Sequence, residues 1–153
     1  MMKKNLPVAV LIVGMIVALD QWVKTWVQSN IAFNHEQPLI PGVIDLTHIW
    51  NFGAAWSSFS GQHLFFVIIS VLALGVMAYV FMKKYQNWWY VIGLSLLCGG
   101  TLGNFIDRLG RGYVVDMFVL RFISFPIFNI ADIALTLGVV VILFALLKDD
   151  SLA

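Results

Sequence analysis

The sequence predicts an all-α integral membrane protein with four transmembrane helices and a small β-sheet on the outer surface. Of its 153 residues, 61% are hydrophobic and only 11% are charged, whereas soluble domains carry about 25% charged residues. Four apolar stretches can each cross a bilayer, whose hydrocarbon core of about 30 Å requires about 20 helical residues. Two polar segments rich in β-branched and aromatic residues follow the first and third stretches. These observations exclude a soluble globular protein.

The four predicted spans are residues 6–28, 63–82, 88–107 and 128–147. The first is similar to a secretory signal peptide, since Lys3 and Lys4 precede its apolar core. No small-x-small cleavage site follows it, and Asp20 and Lys24 interrupt its far end, so we predict an uncleaved span. Because the sequence contains no internal repeat, linker or low-complexity tract, we expect a single membrane domain over residues 1–153.

The distribution of cations predicts the orientation of the spans. An even number of spans places five lysines on one side of the membrane: Lys3, Lys4, Lys83, Lys84 and Lys148. Four cations lie on the other side: Lys24, Arg108, Arg111 and Arg121. Lysine and arginine are enriched on the cytoplasmic side of membrane proteins. We therefore expect both termini in the cytoplasm, although the bias is only five to four.

Two outer segments remain, approximately residues 29–61 and 108–126. In the first, a Pro-Gly turn at residues 41–42 leads into the β-prone run 43–50. In the second, residues 113–122 are also rich in β-branched and aromatic side chains. Isolated strands are only marginally stable, so we predict that both runs pair in one small sheet on the outer surface.

Several kinds of function are disfavoured by the composition. A net charge of +1 offers no basic surface for nucleic acid. The single Cys98 cannot form an intramolecular disulfide and is interpreted as a small buried hydrophobic residue. The three histidines are not spaced as metal ligands. The GxSxG motif of serine hydrolases is absent. We therefore expect no metal and no organic cofactor.

The polar residues within the spans converge on one end of the bundle. Asp20 and Lys24 end the first span, and Asn129 and Asp132 begin the fourth. The third span ends with three further polar residues, namely Asn104, Asp107 and Arg108. Alternating topology brings all three places to the outer side, and their i,i+3 and i,i+4 spacing places each set on one helical face. Such faces must turn away from lipid.

Some of these residues have structural interpretations. Asp20 and Lys24 are interpreted as an i,i+4 ion pair, and Asp107 beside Arg108 as a charge pair at a helix end. Residues 99–104 (GGTLGN) are interpreted as helix-packing residues, because small side chains allow close approach of backbones. A helix-capping role is expected for Asn129.

Asp116 and Asp132 indicate chemistry. Asp132 lies one turn inside an apolar helix with no cation within four residues, and Asp116 lies in a strand-like run with no basic neighbour before Arg121. A carboxylate in hydrocarbon costs about 2.5–3.5 kcal/mol on insertion scales. Two carboxylates held close together raise each other's pKa, so that one stays protonated while the other acts as a base on water. This is the arrangement of an aspartic protease, although the Asp-Thr/Ser-Gly and GxGD signatures are absent.

Five motifs, in order, resemble those of bacterial lipoprotein signal peptidase, also called signal peptidase II. They are residues 20–24 (DQWVK), 51–56 (NFGAAW), 99–108 (GGTLGNFIDR), 113–118 (YVVDMF) and 125–132 (FPIFNIAD). The match covers nearly the whole chain. The chain departs from the family pattern in a short stretch between the last two motifs and in Met117-Phe118, where many members have Phe-Ile.

The resemblance implies an aspartic endopeptidase that removes signal peptides from prolipoproteins just before a cysteine bearing diacylglycerol. It implies that Asp116 and Asp132 are catalytic and that Asn51 and Arg108 hold the substrate backbone. It further implies roles for five other polar residues: Asn104 and Asn129 would position the catalytic pair, and Asp20, Lys24 and Asp107 would tie the helix ends together. The expected enzyme is a monomer of the bacterial plasma membrane with its active site at the outer leaflet, and its partners are membrane lipid and lipidated prolipoproteins.

Two alternatives come from other functional classes. A small proton- or ion-coupled transporter also carries polar residues within its spans, although it commonly places them near the bilayer midplane and in inverted repeats. A non-enzymatic assembly factor could use the outer sheet as a docking edge. The sequence shows neither a repeat nor a charge near the midplane, which disfavours the transporter, and an assembly factor would leave Asp132 unexplained.

Overall fold

The computed structural model describes residues 2–53 and 61–148, with side chains from Asn5 onward. The elements follow in the order α1 (Met2–Asn30), β1 (Glu36–Ile40), β2 (Ile44–Asn51), α2 (His63–Lys84), α3 (Trp88–Arg111), β3 (Val114–Leu120) and α4 (Ile130–Leu147). Residues 54–56 of the second motif lie outside the described residues.

All four helices are long and apolar enough to cross a membrane, which confirms the predicted fold class. Helix α1 extends beyond its predicted span by four residues at its start and two at its end, α2 extends by two residues at its end, and α3 and α4 differ from theirs at one end each. Helix α3 continues to Arg111 and ends at Gly112, whose left-handed φ of 79° lets its N–H donate to the carbonyl of Arg108 at 3.1 Å. Helix α4 begins at Ile130 rather than at residue 128, because Asn129 caps it and the preceding residue pairs with β3.

Helix α3 is the centre of the bundle. It packs against α1, α2 and α4, and half of its most apolar window is buried, compared with 6% for α2. As expected for the GGTLG run, a Cβ on Gly99 would lie 2.8 Å from Ile16 on α1, and a Cβ on Gly100 would lie 2.4 Å from the carbonyl oxygen of Ala131 on α4. Backbones therefore approach closely in the C-terminal half of α3, and polar side chains on three helices meet there.

The three strands form one antiparallel sheet in the order β1-β2-β3. The predicted strands at residues 43–50 and 113–122 correspond to β2 and β3, and their predicted pairing is confirmed. Strand β1 was not predicted, because its five residues include Pro38 and four of them are exposed. Arg121, which follows β3, pairs with Glu36 on β1 and Asp45 on β2.

A short bridge outside the named strands joins the sheet to the fourth helix. Phe128 accepts hydrogen bonds from the backbone N–H groups of Met117 and Phe118 at 3.0 and 2.9 Å, and its own N–H donates to Phe118 at 3.2 Å. The residue that caps α4 is therefore held beside the middle of β3. This bridge brings Asp116 and Asp132 to the same place.

Candidate active site

A charged cluster, defined as Asp20, Lys24, Asp107 and Arg111, joins α1 to α3. The Nζ atom of Lys24 lies 2.8 Å from Asp20 and 3.0 Å from Asp107, and the side chains of all three are fully buried. Arg111, which is 28% exposed, adds a second cation to Asp107 at 2.5 Å. The predicted Asp20–Lys24 pair is therefore present. The predicted pairing of Asp107 with its neighbour Arg108 is wrong, because Asp107 turns towards Lys24 instead.

Backbone groups complete the charged cluster. Asp20 accepts from the N–H of Ala131 on α4 at 2.9 Å, and Asp107 accepts from the N–H of Val115 on β3 at 3.1 Å. A Cβ on Gly103 would lie 2.6 Å from the Asp20 carboxylate, so this position has room only for glycine. The cluster thus connects α1, α3, α4 and β3 beneath the sheet.

Asp116 and Asp132, called the carboxylate pair below, are bridged by one residue. The side-chain amide of Asn129 donates to Asp116 Oδ1 at 2.6 Å, and the backbone N–H of Asn129 donates to Asp132 Oδ2 at 3.1 Å. In return, the Asn129 side chain accepts from the N–H of Asp132 at 3.0 Å, which completes a capping box at the start of α4. The expected capping role of Asn129 is confirmed. The same residue hydrogen-bonds to both carboxylates and so holds them close together.

Two further amides hold the other carboxylate oxygens. Asn51 donates to Asp116 Oδ2 at 2.8 Å, and Asn104 donates to Asp132 Oδ1 at 2.9 Å. Asn104 also accepts from Lys24 Nζ at 3.0 Å, so it links the pair to the charged cluster. Among the described residues, neither member of the pair forms an ion pair with a cation. Each carboxylate is held by neutral donors alone.

Burial and mutual repulsion control the protonation of Asp116, which is only 2% exposed. Burial first, and then the negative charge of Asp132, raises the pKa of Asp116 from 3.8 to about 7, against the opposing effect of hydrogen bonds from Asn51 and Asn129. A buried carboxyl of this kind can hold a proton at neutral pH while its partner is ionised. The site therefore offers one acid and one base side by side.

Arg108 projects from the end of α3 towards the segment after β2. One guanidinium N–H donates to the carbonyl of Gly53 at 3.2 Å, and the group lies 4.8 Å from the centre of the Phe66 ring on α2. The ring of His63, the first residue of α2, contacts the carbonyl oxygen of Arg108 at 2.5 Å. These contacts hold the guanidinium at the mouth of a cleft.

That cleft, the polar cleft, has a volume of about 290 Å³ and reaches Asp132 from between α2, α3 and α4. Its lining residues are Ile69, Ser70, Ala73, Thr101, Asn104, Arg108, Asp132 and Leu135. The Ser70 hydroxyl donates to its own helix at 2.8 Å. Since α2 packs chiefly against α3, the cleft gives a substrate a lateral route to Asp132.

Sequence reasoning missed some residues of this region. Gln21 donates to Asp20 at 3.1 Å, to Asp107 at 3.0 Å and to the carbonyl of Gly103 at 3.1 Å. A polar amide inside an apolar span was the available signal. Ser70 and Thr101 gave a weaker signal, because a hydroxyl group can hydrogen-bond to a carbonyl of its own helix.

In the part of the chain that the structure describes, no group of three or more His, Cys, Asp or Glu residues is placed to hold a metal ion.

Comparisons with known proteins identify similar chains. A family model described as signal peptidase (SPase) II matches residues 12–148. The lipoprotein signal peptidase of Lactococcus lactis subsp. lactis (strain IL1403) is 49% identical over 148 residues, with 97% of each chain covered. The corresponding protein of Lactiplantibacillus plantarum is 51% identical over 136 residues, covering 89% of this chain and 91% of that one.

A solved structure shares the fold. It is described as a bacterial membrane enzyme determined by the in meso method at 2.3 Å resolution, and it matches with a TM-score of 0.88 and 40% identity. The match covers 95% of this chain and 90% of that chain. The agreement extends over spans and sheet together, so the similarity concerns the whole architecture.

Proposed function

The chain belongs to the signal peptidase II family, and we propose that Asp116 and Asp132 are the catalytic residues with which it removes signal peptides from prolipoproteins. The observation that carries this proposal is the carboxylate pair itself. Asp116 is buried, Asp132 is half-buried, and both are held by one asparagine without a paired cation among the described residues. Such an arrangement is unfavourable for stability, and carboxyl groups with perturbed protonation are typical of catalytic sites.

The mechanism follows from the shared proton. The ionised carboxylate takes a proton from a water molecule as the water oxygen adds to the scissile carbonyl carbon. The protonated carboxyl stabilises the developing oxyanion, and a proton then passes to the amine as the C–N bond breaks. Both products leave with the pair again holding one proton. Because the two groups are coupled, this proton belongs to the pair rather than to either residue.

The neighbouring polar residues support this chemistry in different ways. Asn104 and Asn129 position the carboxylates through the contacts described above. Arg108 has five N–H donors and lines the polar cleft, so it can bind carbonyl groups of a substrate backbone. Asn51, which is expected to hold the substrate backbone, donates through its amide to Asp116, and its oxygen accepts from Gly53 at 2.9 Å. We therefore propose that Asn51 also positions Asp116.

The substrate that fits this site is a prolipoprotein whose cysteine already bears a diacylglyceryl group, with cleavage just before that cysteine. A lipidated substrate stays in the bilayer, so the scissile bond lies at a leaflet surface. The carboxylate pair lies where the sheet meets the helix ends, which gives water access as well. Since both carboxylates come from one chain, we further propose that the enzyme acts as a monomer.

The proposed topology places both termini in the cytoplasm and the active site at the outer leaflet of the bacterial plasma membrane. Single cysteines at positions 36 and 86, introduced after Cys98 is replaced, test this orientation in intact cells with an impermeant thiol reagent. Labelling at position 36 with protection at position 86 agrees with the proposal. The reverse pattern would place the carboxylate pair on the cytoplasmic side and overturn it.

The proposed activity is tested with the purified full chain in detergent or bilayers. A prolipoprotein peptide with a diacylglyceryl cysteine should be cut before that cysteine, with both products identified by mass. The same peptide without the lipid is the matched control and should be cut far more slowly. If neither peptide is cut by folded protein, the proposed activity is wrong.

The alternatives receive no comparable support. The family model and the relatives described above are peptidases, not transporters. The polar residues cluster at one end of the bundle, whereas a transporter would be expected to place them near the midplane. An assembly factor would leave the carboxylate pair without a purpose.

A further inference from the structure

Asp132 lies between two clefts, one of which carries more polar side chains than the other. The polar cleft approaches it from α2 and α3, with Asn104 and Arg108 in its wall. On another side, a cleft of about 280 Å³ lies between the segment that precedes α4 and α4 itself. This second cleft, called the acyl cleft below, is lined by Phe125, Phe128, Asp132, Ile133, Thr136 and Leu137.

The acyl cleft is apolar apart from Asp132 and Thr136. The hydroxyl of Thr136 already donates to the carbonyl of Asp132 at 2.9 Å. Phe125 and Leu137 are 50% and 52% exposed, so the cleft opens towards the bilayer rather than into the bundle. An adjoining cleft of about 290 Å³ shares Phe125, Phe128, Asp132 and Thr136 and extends the apolar surface around α4.

We propose that the acyl cleft seats an acyl chain of the substrate's diacylglyceryl group. This inference rests on the proposed function, in which the cysteine next to the cleaved bond carries the lipid. The peptide backbone needs hydrogen-bonding groups and the acyl chains do not. A substrate with its scissile bond at Asp132 can therefore direct the backbone along the polar cleft and the lipid along the acyl cleft.

The role of the cleft is positional. Bilayer hydrocarbon is as apolar as leucine, so a chain gains little hydrophobic free energy by leaving one for the other. A seated chain instead restricts the cysteine to one place and presents the bond before it to the carboxylate pair, which is a contribution of orientation. Leu137 lies five residues beyond Asp132, about 7.5 Å along the helix, so the cleft extends from the reacting group into the leaflet.

The first test narrows the acyl cleft. Leu137→Trp places a ring in it, whereas Leu143→Trp is a matched change at another exposed position of α4, where Leu143 is 55% exposed and lies about 9 Å further along the helix. The substrates are one peptide with either two palmitoyl or two acetyl chains on the glycerol. KM and kcat are measured at a fixed detergent mole fraction.

We expect Leu137→Trp to raise KM for the dipalmitoyl peptide by about tenfold, the scale of a misfit in an apolar pocket. The diacetyl peptide should respond little, and Leu143→Trp should leave both substrates unchanged. Equal effects of Leu137→Trp on both peptides, or no effect on either, would overturn the inference while leaving the proposed activity intact. Failure of the parent enzyme to cut any lipopeptide would instead count against the proposed function.

The second test does not depend on turnover. The dipalmitoyl peptide is prepared with a photoreactive diazirine on one chain and is bound to the parent protein and to the Asp116→Asn variant. We expect crosslinks in residues 125–137, identified by mass spectrometry. Crosslinks confined to other helices, such as the apolar groove formed by α1 and α2 near Val10 and Met77, would overturn the inference even if cleavage is observed.

Discussion

The charged cluster and the carboxylate pair lie next to each other, but their acidic side chains are stabilised by different kinds of partner. In the charged cluster, Asp20 and Asp107 share a fully buried lysine, and Arg111 adds a second positive charge. In the carboxylate pair, Asp116 and Asp132 receive hydrogen bonds from three asparagines and pair with no cation among the described residues. The first arrangement balances charge, and the second leaves it unbalanced.

This difference in partners assigns a structural role to the charged cluster and a chemical role to the carboxylate pair. A balanced group of buried charges connects the elements that carry it, and removing one partner is strongly destabilising because it leaves a buried charge uncompensated. In the unbalanced pair, the raised pKa of Asp116 lies near neutral pH, where a group can both release and accept a proton, as acid–base catalysis requires. Asn104 contacts both groups through Lys24 and Asp132, so the rigid cluster also positions the reactive one.

The largest expected effect is on catalysis. Asp116→Asn or Asp132→Asn should reduce cleavage of a lipopeptide by at least about a thousandfold, because an amide cannot act as an acid or base. The double variant should be no worse than either single one, since the two residues act as a unit. The measurement is single-turnover cleavage followed by product mass. Substantial turnover by folded Asp132→Asn would contradict the mechanism.

The next effect concerns the charged cluster. Lys24→Met should lower the free energy of unfolding by about 3–5 kcal/mol, because it leaves two buried carboxylates without their shared cation. Arg111→Gln is the matched control on the partly exposed side and should cost about 1 kcal/mol or less. Thermal unfolding in detergent measures both. Similar losses for the two variants would show that burial does not distinguish these cations.

The protonation of Asp116 should make the stability of the protein depend on pH. Because the pKa of Asp116 is raised from 3.8 to about 7, the folded state holds this proton more tightly than the unfolded state does. Its contribution to the free energy of unfolding is therefore greatest at low pH, declines between about pH 4 and 7, and is lost above that range. Asp116→Asn should remove this decline and be no less stable than the parent at pH 8.

The cleavage rate should also depend on the protonation of the carboxylate pair. A bell-shaped pH profile is expected, with its alkaline limb near pH 7, where the pair loses the shared proton. Cleavage rates across pH on the lipopeptide measure it. A rate that keeps rising above pH 9 would rule out a shared proton in the rate-determining step.

The smallest expected effect is at Cys98. Its thiol contacts the Met77 sulfur at 3.7 Å and lies six residues before Asn104, about 9 Å along α3. Cys98→Ala should therefore retain activity close to that of the parent, and treatment with thiol reagents should leave the activity of this variant unchanged. A folded but inactive Cys98→Ala would require a thiol nucleophile in place of the carboxylate pair.

Most of the fold could be predicted from the sequence, and some contacts of the site could not. The spans, the two longer strands and the shared end of the polar residues followed from local patterns. Strand β1 was missed, because it is exposed and contains Pro38. The double engagement of Asn51 was also missed, because it depends on β3 lying opposite β2 in a particular register.

The sequence by itself determined that the chain spans a membrane four times and gathers its polar residues at one end. Each of these properties depends on a local cost: an apolar stretch must be long enough to cross hydrocarbon, and a charge must avoid it. Only the tertiary structure decided which charged side chains form ion pairs with each other. Asp107 adjoins Arg108 in sequence but pairs with Lys24, eighty-odd residues away, because successive residues on a helix point in different directions and the close packing of α3 turns Asp107 towards α1.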